Sequence, residues 1–175
     1  KATEFYNEVD PTIPGEIPND TGGLTPLSES ERSYKFEGYL VYQLLNDQVT
    51  YDPKDLGNPD KARLIAQFDE KNGVTQIINH TWNDNLATWD DVEMVNGKNE
   101  GVKHVLRISA DAFGGGSAEL INYKTYYFTI LAYAHNEYRK FEYTNVPSPN
   151  YTQQKPYLPG RLNVRTYTAI PHKPV

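Results

Sequence analysis

Tyr126-Tyr127-Phe128-Thr129-Ile130-Leu131-Ala132-Tyr133-Ala134 decides the fold class. Aromatic, β-branched and aliphatic side chains fill it without a charge, a glycine or a proline, which suits a buried strand. It is far too short to cross a membrane as a helix. The segment 34–45, Tyr-Lys-Phe-Glu-Gly-Tyr-Leu-Val-Tyr-Gln-Leu-Leu, reads the same way. Its two faces, Tyr34, Phe36, Leu40, Tyr42 and Leu44 against Tyr39, Val41 and Leu45, are both apolar, so this strand is expected to be covered on both sides.

Working outward, Asp52-Pro53 and Asn58-Pro59 punctuate a loop. Ala62 to Phe68 reads as a strand, and Asn72-Gly73 is expected to turn it into Val74–Ile78 as a hairpin. Residues 79–102 read as a polar, irregular insertion holding Trp82 and Trp89. Val102 to Ser109 resumes strand character. Ala110 to Phe113 suggests one helical turn, stopped by Gly114-Gly115-Gly116. A Pro/Asn/Tyr loop covers roughly 145–160, and Leu162–Ile170 alternates as a last strand before Pro171. No helix longer than a turn or two and no internal repeat is evident. The chain reads as all-β.

Composition agrees. Fourteen tyrosines accompany a single Met, and the 12 Gly and 12 Pro favour short strands and turns. With no cysteine, disulfides, thiolate metal sites and a cysteine nucleophile are excluded. Residues 1–32 carry seven acids against Lys1 and Arg32, so −5 of the net −6 lies in a Pro/Gly-rich arm. That arm is expected to run extended over the surface or to act as a linker, because it has little apolar surface to offset ordering entropy. Residues 33–175 form the expected domain. Basic residues are scattered, which argues against nucleic acid. The chain starts at Lys1 with neither a signal peptide nor an apolar span, as a trimmed segment of a larger protein would.

Catalytic chemistry has little to stand on. His80 and His172 read as lying in or beside loops, His104 and His135 as lying on strands or at strand ends, and no pair has metal-binding spacing. Asp90-Asp91 and Glu93 crowd one stretch, yet adjacent acids on a strand or loop point apart, unlike the facing carboxylates of a glycosidase. Trp82-Asn-Asp-Asn85 with Asp90-Asp91 offers hard oxygen ligands for a structural calcium ion, without EF-hand spacing. No other cofactor is expected. Trp82 and Trp89 suit either a miniature core for the insertion or stacking on sugar rings.

Leu120-Ile-Asn-Tyr-Lys-Thr-Tyr126 resembles the tyrosine corner of fibronectin type III domains, in which a phenol hydroxyl ties back to upstream backbone. Glu37-Gly-Tyr-Leu-Val-Tyr42 looks like the third strand of that family, and Leu162–Ile170 like its last. The resemblance implies an antiparallel β-sandwich, fibronectin type III or immunoglobulin-like, with long insertions and with Phe128, Ile130, Ala132 and Ala134 facing the core. Tyr127, Thr129, Leu131 and Tyr133 would then share the opposite face with Leu40, Tyr42 and Leu44. Such a patch is too large to leave wet, so the insertion, segment 145–160 or a partner is expected to cover it. Tyr34-Lys-Phe-Glu-Gly-Tyr39, Pro59–Ala66, Asn72–Thr75 and Tyr167–His172 look like segments of very large Bacteroidetes surface proteins secreted by the type IX system. That likeness implies an extracellular or outer-membrane-attached location. The family's opening strands are not visible before Ser33, so they are expected from upstream sequence, the arm or another chain.

The resulting expectation is a non-catalytic structural or protein-interaction module of a large surface protein, working in adhesion or surface assembly. Its partners would be other domains of the parent chain or another surface protein. A carbohydrate-binding module of a secreted hydrolase is the alternative. Candidate contact residues are Trp82, Trp89, Tyr127 and Tyr133.

Overall fold

The computed structural model describes residues 9–115, 119–143, 151–160 and 164–172. Strand accounts for 41% and helix for 3%, and the sheets are antiparallel, consistent with a β-sandwich. Three short strands and six longer ones follow one another as β1 (Glu16–Pro18), β2 (Leu24–Pro26), β3 (Lys35–Leu44), β4 (Ala62–Asp69), β5 (Gln76–Asn83), β6 (Thr88–Asn96), β7 (Tyr126–His135), β8 (Tyr157–Pro159) and β9 (Thr166–Ala169). Among the described residues one helical turn, α1 (Pro53–Leu56), lies between β3 and β4. Its placement is local chemistry: Pro53 starts the turn and the Asp52 side chain accepts the Asp55 N–H at 2.9 Å.

The main sheet runs β4-β3-β7-β8, and β9 also pairs with β7. β8 takes the C-terminal end of β7, with His135 opposite Tyr157, and β9 takes its N-terminal end, with Tyr126 opposite Ala169. Two further sheets are hairpins, β1–β2 and β5–β6. The expected hairpin about Asn72-Gly73 does not form: β4 pairs back to β3, and β5 pairs forward to β6. The Asn99 carboxamide oxygen accepts the N–H groups of both Asn72 and Gly73. The supposedly irregular 79–102 insertion is largely this β5–β6 hairpin. Val102–Ser109 is not a strand, and Ala110–Phe113 holds an isolated bridge at Ala110 and a turn at Ala112-Phe113, with no helix. The last strand is shorter than expected, and Leu162 and Gly116 lie outside the described residues.

Two compact units divide the chain. The first comprises Lys1–Glu37, Asn72–Asn99 and Tyr133–Pro159. Its core joins Ile13, Leu27, Tyr34 and Ala134, with Ile17, Tyr138 and Leu158 packed around them. The arm therefore contributes core residues over its described part, and Gly22 at φ +82° closes its small hairpin. Asn136 fastens it further, donating from Nδ2 to the carbonyls of Glu31 (2.7 Å) and Ser33 (2.8 Å). The Tyr34 hydroxyl donates to the Lys155 carbonyl at 2.5 Å, and burial pushes that phenol up to about 12.

The second unit comprises Gly38–Lys71, Glu100–Ala132 and Gly160–Val175. Leu44, Val49 and Ala62 form its core cluster, lined by Tyr42, Tyr51, Leu56 and Tyr127. Gln43 is buried with Asp111, to which it donates at 2.7 Å while its own Oε1 accepts the Ala112 N–H. Lys124 completes the group at 2.9 Å. Burial opposes the charge on Asp111, but Lys124, Gln43 and the Phe113 N–H outweigh it and hold the carboxyl below its usual range. On β7, Phe128 is buried as expected, and so is Tyr126, whereas Ile130, also expected in the core, is 44% exposed. Within this unit no further strand ladder is described that could cover that face. The opposite face is closed at Thr129 and Leu131, so β7 is packed most tightly on the side expected to be the patch.

Candidate functional site

The β5–β6 hairpin brings the two indoles together. Trp82 and Trp89 are direct cross-strand partners, with ring centroids 5.3 Å apart at 70°. Successive residues on a strand point to opposite faces, so His80 shares the face of Trp82, and its own partner is Asp91. Phe141, from the chain following β7, lies under this face. It stacks flat on His80 at 3.8 Å and 7°, and meets Trp89 edge-on at 4.8 Å and 78°. Tyr143 closes the group, edge-on to Phe141 at 5.0 Å and to His80 at 5.7 Å. The four carbon-rich rings and one imidazole form a single nest in which edge-to-face contacts prevail.

One polar line runs through the nest. His80 Nδ1 lies 2.7 Å from Asp91 Oδ1, and the Tyr143 hydroxyl donates to Asp91 Oδ2 at 2.6 Å. A carboxylate only accepts, so Nδ1 carries the proton. Bonds from Tyr143 and then from His80 hold the Asp91 carboxyl below its ordinary range, and the same bond pushes the Tyr143 hydroxyl up. The His80 backbone N–H also donates to the Gln154 carbonyl at 2.8 Å.

A His–Asp pair is two-thirds of a nucleophilic triad, and the missing third is a hydroxyl or thiol at Nε2. Among the described residues none is hydrogen-bonded there, and one face of the ring is occupied by Phe141. The arrangement joins the hairpin to segments 141–143 and 154 as a clamp, in which Asp91 holds both His80 Nδ1 and the Tyr143 hydroxyl. Asp90, the neighbouring acid, points the other way and accepts from Asn83 Nδ2 at 2.8 Å. Asn83 Oδ1 in turn accepts the N–H groups of Asn85 and Leu86. Of the oxygens considered for calcium, Asn83 Oδ1 and Asp90 Oδ2 serve the turn and both Asp91 oxygens serve His80 and Tyr143, and among the described residues no group of three or more His, Cys, Asp or Glu could hold a metal ion.

The four candidate contact residues fall into three places. Trp82 and Trp89 meet in the nest, each partly exposed. Tyr127 lines the Leu44–Val49–Ala62 cluster. Tyr133 is fully buried and stacks on Tyr157 at 5.7 Å, so it has no surface to offer a ligand. Tyr157 belongs to β8 of the same sheet, so it packs beside Tyr133 as a strand neighbour. His80 lies within β5 and not in a loop, and His104 lies in an irregular stretch and not on a strand. Reading the sequence missed Phe141 and Tyr143. The only signal was their spacing of two, with no strand pattern around them. No protein-family model, curated protein or solved structure matches this chain.

Proposed function

We propose that the chain is a non-catalytic structural and protein-interaction module of fibronectin type III kind, part of a large extracellular or cell-surface protein. Its setting is adhesion or surface assembly. One observation carries the reading: β7 lies between β3 and β9, the order in which such a module sets its third strand, tyrosine-bearing strand and last strand. At the start of β7 the buried Tyr126 hydroxyl accepts the Ile121 N–H at 2.9 Å. A corner tied in this way stiffens the entry to a central strand. It serves a scaffold, and contributes nothing to turnover.

The partial exposure of Trp82 and Trp89 keeps the carbohydrate-binding alternative in view. Their 70° tilt, however, gives a sugar ring no shared flat shelf. Tryptophan fluorescence titrated with soluble polysaccharides separates the two. The interaction reading expects no saturable change. A saturable change that disappears in Trp82→Ala would replace it with sugar binding.

A further inference from the structure

Val102-Lys-His-Val-Leu-Arg-Ile-Ser109 has the composition of a strand yet belongs to none. No residue between Gly101 and Gly115 has a positive φ, and after a bend at His104 the chain runs through Val105–Ser109 without turn or helix. Its far end is already set in sheet-like geometry by an isolated antiparallel bridge, Ala110 to Glu119, and by the Leu120 N–H donating to the Ser109 carbonyl at 3.3 Å. Among the described residues that is the only backbone hydrogen bond made by residues 100–109. Val105 is 84% exposed and Leu106 38%. Unpaired backbone beside exposed β-formers is a template for another strand.

Charge says what kind of strand. Lys103 and Arg107 stand near one another with no acid between Glu100 and Asp111, on a chain whose net charge is −6. Lys103 reaches Glu100 at 3.1 Å, but both are largely solvated, so the pair counts for little. Arg107 has no ion pair among the described residues. A second copy is a poor occupant, because antiparallel self-pairing of Val105–Ser109, centred on Arg107, would set the two Arg107 side chains opposite each other. We propose that Val105–Ser109 is an open strand that takes up an extended acidic segment of a partner polypeptide by β-addition. This deepens the interaction reading above and rests on it.

The test uses the whole chain, 1–175, and two fluorescein-labelled seven-residue peptides, one alternating valine with glutamate and the other valine with lysine. Fluorescence anisotropy is expected to show saturable binding of the glutamate peptide that weakens with salt, and at least tenfold weaker binding of the lysine peptide. Arg107→Glu, at an exposed residue, should reverse that preference. Hydrogen exchange should find the amides of 105–109 fast in the free protein and protected with the glutamate peptide. Equal binding of both peptides, absence of binding, or amides protected before any peptide is added would overturn the proposal. So would dimerisation that protects 105–109. Protection along β4 instead would refute this surface and leave the interaction reading standing, whereas a polysaccharide response at Trp82 would refute the reading itself.

Discussion

Tyr126 shows how much one atom organises. Its ring is buried, its hydroxyl holds the Ile121 amide, and Lys124 Nζ lies 4.8 Å from the ring centroid, with Lys124 also bound to Asp111. Tyr126→Phe keeps the packing and strands that amide, so a loss of about 1–2 kcal/mol is expected in urea unfolding. An unchanged midpoint would mean that water serves the amide equally well. Asp111→Ala should cost about 1–3 kcal/mol by leaving Gln43 and Lys124 without their acceptor. Asp55 gives a pH-dependent counterpart. The Lys61 ammonium at 2.5 Å, then the Thr50 N–H and hydroxyl, lower its carboxyl to about 2 from an ordinary 3.8. A folded value below the unfolded one means that its stabilisation is complete above about pH 4 and fades as pH falls toward 2. Unfolding midpoints measured from pH 5 to pH 2 should therefore decline less steeply in Asp55→Asn than in the parent chain.

Among the elements, the β5–β6 hairpin carries a local conflict. Ala87 closes its turn at φ +46°, a conformation that costs a residue with a Cβ. Ala87→Gly should relieve it and stabilise the protein by up to about 1 kcal/mol, read as a raised melting temperature with the same near-ultraviolet circular dichroism. A lowered melting temperature would show that the entropy glycine adds to the unfolded chain outweighs the strain. That conflict also explains why the hairpin was hard to read. Its turn, Asp84 to Ala87, has no glycine, and its inner face presents His80, Trp82 and Asp91 where alternating aliphatics would give a clear period of two. Strand β7 and the two-sided strand β3 were legible because their own side chains are mostly apolar. Val102–Ser109 was misread for the converse reason: its propensity is that of a strand, but pairing depends on a neighbour that composition cannot supply. The nest was legible only at its two tryptophans, since Phe141 and Tyr143 reach it from irregular chain.

At the scale of the whole molecule, the acidic arm poses the sharpest question, since its composition argues for a linker and its position argues for a core. Ile13 and Leu27 are both buried in the first unit, against Tyr34 and Ala134. Removing residues 1–27 would uncover those two partners while retaining Glu31 and Ser33, whose carbonyls Asn136 holds. At about 2 kcal/mol for each buried aliphatic side chain, the deletion forfeits about 4 kcal/mol of burial. It also frees the arm from ordering and removes acids that repel one another, so the net loss should be nearer 2–3 kcal/mol. Ile13→Ala and Leu27→Ala, which leave the arm's charge in place, should each lose about 2 kcal/mol. Because the two residues share one cluster, their double variant should lose less than the sum. If the deletion leaves the urea midpoint unchanged while the single variants lower it, the arm's ordering cost cancels its burial and it is tethered without net stabilisation. If all three leave the midpoint unchanged, the arm is not part of the core in solution, and the first unit must hold Tyr34 and Ala134 by β8 and the Asn136 network alone.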